Sequence, residues 1–219
     1  MRIRIQMFAL ASLFAASAAG AQTIPIFGTG YNGSSTIAGG ATDPHYTVKV
    51  GSAATASAVG LSPSNWCCGY TANTTTSAWI SNVDSPVTGS GNAYYETTFD
   101  MSGLDPLTAS LAGVFSTADG MLGIYLNGNY LPGSTLLYTG SCVTWCAYNP
   151  FSVAAGSGWF LPGMNTLAFD TYTVNNFYDG LQVDLSGRAA VVSATPEPGS
   201  LLLIATGLSA LIAIRRRRA

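Results

Sequence analysis

Charge is scarce in this chain. Only 8% of its 219 residues are Asp, Glu, Lys or Arg, histidine occurs once as His45, and lysine occurs once as Lys49. Four of the arginines, Arg215, Arg216, Arg217 and Arg218, sit side by side. Residues 22–195 therefore hold two cations, Lys49 and Arg188, against nine acids, a net −7. A body of that charge lacks the basic face that nucleic acid or an anionic lipid surface needs, so no nucleic-acid partner is expected. Helical periodicity is missing too: between residues 41 and 193 no apolar run of period 3.6 reaches a useful length. That excludes a helical bundle or an α/β sheet for the body and leaves an all-β fold.

Constellations that carry chemistry are equally thin. His45 has no G-x-S-x-G serine and no partnered cysteine motif, so no catalytic residue is expected and the body reads as non-enzymatic. His45 itself reads as a strand-edge residue that packs or hydrogen-bonds at the rim. The acids are scattered, from Asp43 and Asp84 through Glu96 and Asp170 to Asp184, and no D-x-D-x-D loop gathers them. Metal ligands and cofactors are accordingly expected to be none, a structural calcium built from separate loops being the one exception the scatter leaves open.

What is present is punctuated alternation. Period-two runs recur at 46–50, 77–83, 94–99, 107–115, 121–128, 165–174 and 180–187. In the last of these Leu181, Val183 and Leu185 face one way, and Gln182 and Asp184 the other. Turn formers lie between the runs, among them Ser102-Gly103, Pro132-Gly133 and Pro162-Gly163. Asn127-Gly128 suits a two-residue type I′ hairpin, whose central positions both need positive φ. The expected architecture is an antiparallel β-sandwich of about eight strands in two packed sheets.

The stretches YYETTFDMSGLDPLTASLAGVFSTADGMLGIYLNGNYLPG and NPFSVAAGSGWFLPGMNTLAFDTYTVNNFYDGLQVDLSG, with DPHYTV at 43–48, resemble galactose-binding-like jelly-roll domains of bacterial surface proteins. The resemblance covers residues 43–190 and implies a jelly roll. It says little about function, since such folds host carbohydrate binders, enzyme lids and adhesion modules.

The ends concern destination. Arg2 and Arg4, an apolar stretch from Met7 to Ala16 and the small residues Ala19-Gly20-Ala21 read as a secretory signal peptide, 1–21, cut between Ala21 and Gln22. Residues 22–42 read as an irregular lead-in, 43–190 as the jelly-roll domain, 191–195 as a linker and 196–219 as a tail. In that tail Pro196-Glu197-Pro198 precedes an apolar run, 201–214, and then Arg215 to Arg218. The run spans about 21 Å as a helix, short against a hydrocarbon core of about 30 Å, and the arginines can hold its end in the cytoplasm. Triplet, run and arginines match the PEP-CTERM sorting signal. By that resemblance exosortase, a membrane-embedded transpeptidase-like enzyme, is the partner, and it cleaves near the triplet. The implied destination is the surface or exopolysaccharide matrix of a Gram-negative bacterium, after transient anchoring in the membrane. The sandwich would thus be flanked by an N-terminal signal helix and a C-terminal hydrophobic helix.

Four cysteines remain in an exported chain: Cys67, Cys68, Cys142 and Cys146. An even count outside the cytoplasm favours disulfides, with three pairings open. Adjacent cysteines pair poorly with each other, so two bridges joining the 67/68 loop to the 142/146 loop are expected. Each would close a loop worth roughly 4 kcal/mol. A zinc site fits badly, because one cysteine pair has no spacer. Around these loops stand Trp66, Tyr70, Trp145 and Tyr148. They read first as shields for the bridges and caps of the sandwich, and secondly as candidate glycan contacts, since exposed aromatic rings stack on sugar faces. Exopolysaccharide is the partner that second reading implies, as a carbohydrate-binding or adhesion module.

Overall fold

The computed structural model describes residues 20–62, 70–84, 91–137, 144–173, 180–192 and 207–208. Its strands are β1 (Ala21–Thr23), β2 (Thr42–Val50), β3 (Ala56–Gly60), β4 (Ile80–Ser81), β5 (Gly91–Asp100) and β6 (Ser110–Thr117). They continue with β7 (Gly120–Leu126), β8 (Asn129–Tyr130), β9 (Asn149–Val153), β10 (Met164–Thr173) and β11 (Leu181–Ala190). The described body is all-β, as its alternation and lack of helical period require.

Every pairing is antiparallel, and the strands follow one another in the order β8-β7-β10-β5-β2-β3-β4-β11-β6-β9, with β1 added on β11. The expectation of two separate sheets gives way to one curled sheet. The continuity comes from β4, whose two residues pair with both β3 (Gly60↔Ile80) and β11 (Leu181↔Ile80). The signal and hydrophobic helices expected at the two ends lie outside the described residues.

Curling lets the alternating inward side chains meet. Tyr46, Val48, Tyr95, Phe99, Ile124 and Phe169 from one half pack with Leu111, Phe115, Phe151, Leu181 and Val183 from the other. Across the middle Phe151 sets its edge on Phe169, ring centres 5.8 Å apart. Edge-to-face contact is the arrangement the ring quadrupoles favour.

The β7–β8 hairpin has the two-residue turn that Asn127-Gly128 implies: Leu126 pairs with Asn129, and both turn residues have positive φ, 50° and 80°. Asn127 does more than turn the chain. Its Nδ2 donates to Trp159 O (2.8 Å) and to Asn165 Oδ1 (2.7 Å), and its Oδ1 accepts from Thr166 N (2.9 Å). The hairpin is thereby locked to the start of β10.

Two features of the sequence reading change. Gln182, which alternation places on the outward face, is fully buried, because the 70–79 segment folds over that side of β11. Residues 24–29 run along the opposite edge of β11 from β6: Ile24 N donates to Gly187 O and Thr29 N to Val183 O. Ile24, Ile26 and Thr29 are buried there.

Candidate functional site

The chain ends of the body meet on β11. Ala21 pairs with Ala190 and Gln22 with Ala189, so the expected signal-cleavage point and the start of the linker lie side by side. Pro196, Glu197, Pro198 and Arg215 to Arg218 lie outside the described residues. Among the described residues no helix is long and apolar enough to cross a membrane.

The other end of β11 carries the loop aromatics. The segment 70–79 is held there by its polar side chains. Thr71 Oγ1 donates to Gln182 Oε1 (2.8 Å), and Gln182 Nε2 donates back to Ala72 O (3.2 Å). Thr74 and Thr76 hydroxyls both donate to Asp184 Oδ2 at 3.0 Å. The 144–149 segment joins from the far side of β6: Thr117 N donates to Thr144 O, Ser116 Oγ to Ala147 O, and Thr71 N to Trp145 O.

Of the four loop aromatics, Tyr70, Trp145 and Tyr148 are brought to this one end, and Trp66 lies outside the described residues. Each of the three is tied into the loops. Tyr70 stands edge-on against the fully buried Trp79 (4.7 Å) and lies 6.5 Å from Trp145. Tyr148 is partly exposed, and its hydroxyl donates to Ala72 O at 2.6 Å. Burial lifts the Tyr148 phenol above its ordinary pKa, as expected of a phenol serving as a donor. Cys146 in this segment is disulfide-bonded. Cys67, Cys68 and Cys142 lie outside the described residues.

His45 packs at the rim. Its ring stacks on Phe27 with centroids 4.2 Å apart and an interplanar angle of 17°. Beside it Asp43 is a buried carboxylate that accepts three backbone donors, Gly30 N (2.6 Å), His45 N (2.7 Å) and Tyr46 N (3.1 Å). Burial still pushes its pKa up, against the lowering effect of those donors. Among the described residues no group of three or more His, Cys, Asp or Glu is placed to hold a metal.

A second surface, absent from the sequence reading, occupies the outer face of β8-β7-β10-β5-β2. Register lines up Tyr130, Tyr125, Ala168, Glu96 and Thr47 in one row, and Gly123, Asp170, Tyr94 and Lys49 in the next. Beyond them Tyr172 pairs with Asn92. A cavity of about 440 Å³ opens on this face, lined by residues that include Thr47, Lys49, Asn92, Tyr94 and Glu96. Burial, and after it the charges of Glu96 and Asp170, raise the Tyr94 phenol above its ordinary pKa. The signal for this face was the alternation Asn92, Tyr94, Glu96 along one strand. The sequence does not reveal which residues of β10 and β2 stand beside them.

A model of the PEP-CTERM protein-sorting motif matches residues 194–218, so the sorting signal expected from the tail is present. No curated protein matches the chain. Among solved structures it is similar to a family 35 carbohydrate binding module from Clostridium thermocellum, 15% identical over 67% of this chain and 92% of that one, TM-score 0.35. It is also similar to CBM35 from Paenibacillus barcinonensis, 18% identical over 68% of this chain and 93% of that one, TM-score 0.31. A third likeness is to the Stig cyclase Fisc from Fischerella sp. TAU, 15% identical over 78% of this chain and all of that one, TM-score 0.44.

Proposed function

We propose that the chain is an exported, non-enzymatic surface or exopolysaccharide-matrix protein, sorted and cut by exosortase at Pro196-Glu197-Pro198. The observation that carries this reading is the sorting-motif match over residues 194–218. The apolar run 201–214 serves as a temporary anchor, with Arg215 to Arg218 held inside. Each proline disfavours the helical region for the residue before it, which suits recognition of the triplet by a protease as an extended segment. The signal peptide, 1–21, starts export and is removed after Ala21. The curled body is read as a jelly roll of the galactose-binding-like kind, stapled by bridges between the 67/68 and 142/146 loops.

The pairing of Ala21 with Ala190 suits this route. Both segments that would hold the chain at the membrane leave from one end of β11. The opposite end lies about 25–30 Å further along the strand, at roughly 3.3 Å per residue.

The test compares the mature protein from cells with and without exosortase by intact mass. With the enzyme, the product lacks the hydrophobic run and the arginines; without it, the tail stays on and the protein remains with the membrane fraction. Deleting residues 196–219 should send the body to the periplasm or medium in either strain. An uncut tail in cells that express exosortase would sink the sorting reading.

A further inference from the structure

The outer face of β8-β7-β10-β5-β2 has a composition that stability alone does not ask for. Glycines make room on it for tyrosine rings. A Cβ on Gly123 would stand 2.9 Å from the Tyr130 ring and 3.0 Å from the Tyr125 ring. A Cβ on Gly120 would run into the ring of Tyr172, 2.1 Å from its Cε1. Tyr125 and Tyr130 rings are 5.7 Å apart, and Tyr94 and Tyr130 are 37% and 41% exposed. The result is an open face of mixed aromatic and polar surface across five strands, with rings from β8, β7, β10 and β5 and Thr47 and Lys49 from β2, about 19 Å wide at ~4.8 Å per strand.

Polar groups stand in this floor without partners. Among the described residues the side chains of Lys49, Glu96 and Asp170 make no hydrogen bond or ion pair. Asp170 is half-buried, and burial raises its pKa, so its charge is partly stripped of water with nothing in exchange. A fold selected for stability alone would place Asn or Thr at such a position. The groups that face it are Tyr94 and Glu96 from β5, Tyr125 from β7 and Lys49 one strand further on.

We propose that this face binds a neutral glycan chain, its pyranose rings stacking on Tyr94, Tyr125 and Tyr130 and their hydroxyls bonding to Asp170, Glu96, Lys49 and Asn92. Exposed aromatic rings fit the apolar C–H faces of sugars. Unpaired carboxylates are acceptors for two neighbouring hydroxyl donors, and an ammonium serves a ring or hydroxyl oxygen. A floor five strands wide fits several sugars in a row better than one. A polyanion is disfavoured by the two carboxylates on the face and by the net −7 of residues 22–195. The site stands on the sheet face, apart from the loop aromatics Tyr70, Trp145 and Tyr148, and it does not depend on the sorting reading.

The test is titration calorimetry of the purified protein with cellotetraose, xylotetraose, mannotetraose and β-1,4-galactotetraose, with oligogalacturonate as the acidic control. At least one neutral series should bind with millimolar affinity or better. Tyr94→Ala and Asp170→Asn should each weaken binding about tenfold or more, and Tyr148→Ala should leave it unchanged.

Asp170→Asn has a second readout that a structural role would not give. An acid whose folded pKa is raised favours the fold below its unfolded pKa, and that contribution is lost as pH rises through the folded value. Asp170→Asn should therefore raise Tm at neutral pH, and the gain should vanish at acid pH. Three results would each overturn the proposal: none of the four neutral oligosaccharides binds, oligogalacturonate binds best, or Tyr94→Ala and Asp170→Asn, shown folded by circular dichroism, bind as well as the unaltered protein.

Discussion

Replacing Trp79 by alanine should cost about 3–5 kcal/mol of stability, the range for deleting a large buried aromatic side chain. Trp79 is 0% exposed and is the largest fully buried side chain among the described residues. Its indole Nε1 donates to Thr71 O at 2.9 Å, its backbone N donates to Asn73 Oδ1 at 3.2 Å, and Tyr70 packs against its ring. The cavity would open beneath the 70–79 segment, which also supplies the partners of Gln182. The loss should therefore spread: Gln182, fully buried, would hold its amide less well against Ala72 and Ser77. At roughly 2–4 °C per kcal/mol for a domain of this size, thermal unfolding should shift down by about 6–20 °C. Trp79→Phe separates the two contributions, since it keeps most of the ring and orphans only the Thr71 carbonyl, a cost of about 1–2 kcal/mol beyond the lost volume. Denaturant unfolding of the three proteins decides the matter. If Trp79→Ala lies within 1 kcal/mol of the parent, this side chain does not anchor the loop end.

How legible the fold was can be read from where prediction and structure part. Strands β5, β7, β10 and β11 were visible because each is long, with apolar side chains inward at alternate positions. Asn127-Gly128 was visible because few residue pairs accept positive φ twice. Strand β3, Ala56–Gly60, was hidden by its small residues, which give alternation no contrast. Strand β9, Asn149–Val153, was hidden by Pro150, which demotes any strand in a sequence reading; it survives because β9 is an edge, paired on one side only with β6. Strand β1, Ala21–Thr23, was hidden because it straddles the expected cleavage point and opens a lead-in that reads as irregular.

The two candidate surfaces differ in the same way. The loop aromatics are legible in the sequence because tryptophan and tyrosine near cysteine stand out locally. What the sequence did not reveal is that Tyr148, Tyr70 and Trp145 are used to tie loops together. The sheet face was missed for a physical reason. Alternation shows that Asn92, Tyr94 and Glu96 share a side, but only the register of β10 and β2 on β5 brings Asp170 and Lys49 to Tyr94. Register between strands far apart in the chain is set by the whole core at once, because a one-residue slip would turn every inward side chain out.

Replacing Asp43 by alanine should cost roughly 3 kcal/mol, because it leaves three buried or part-buried N–H groups without their acceptor. Asp43 is 3% exposed and ties Gly30 to the start of β2, which fixes the 24–31 segment against the sheet. Phe27 in that segment stacks on His45, and Tyr46 donates its hydroxyl to Phe27 O at 3.1 Å, so the loss should loosen the whole rim. Asp43→Asn should fall between the two, since it keeps one oxygen for His45 and Tyr46 but sets an amide N–H₂ against the Gly30 N–H. The pH dependence has a definite sign. Burial raises the Asp43 pKa above 3.8, so the folded state holds this proton to higher pH than the unfolded chain does. The resulting stabilisation is complete below 3.8 and is lost as pH rises through the folded value. The stability gap between the parent and Asp43→Ala should therefore widen as the solution is taken from neutral toward acid, the reverse of the behaviour of a salt-bridged carboxylate. Urea unfolding of both proteins at several pH values measures the gap directly. A gap that narrows toward acid would mean that the three N–H donors outweigh burial at Asp43, and that its carboxylate is held charged.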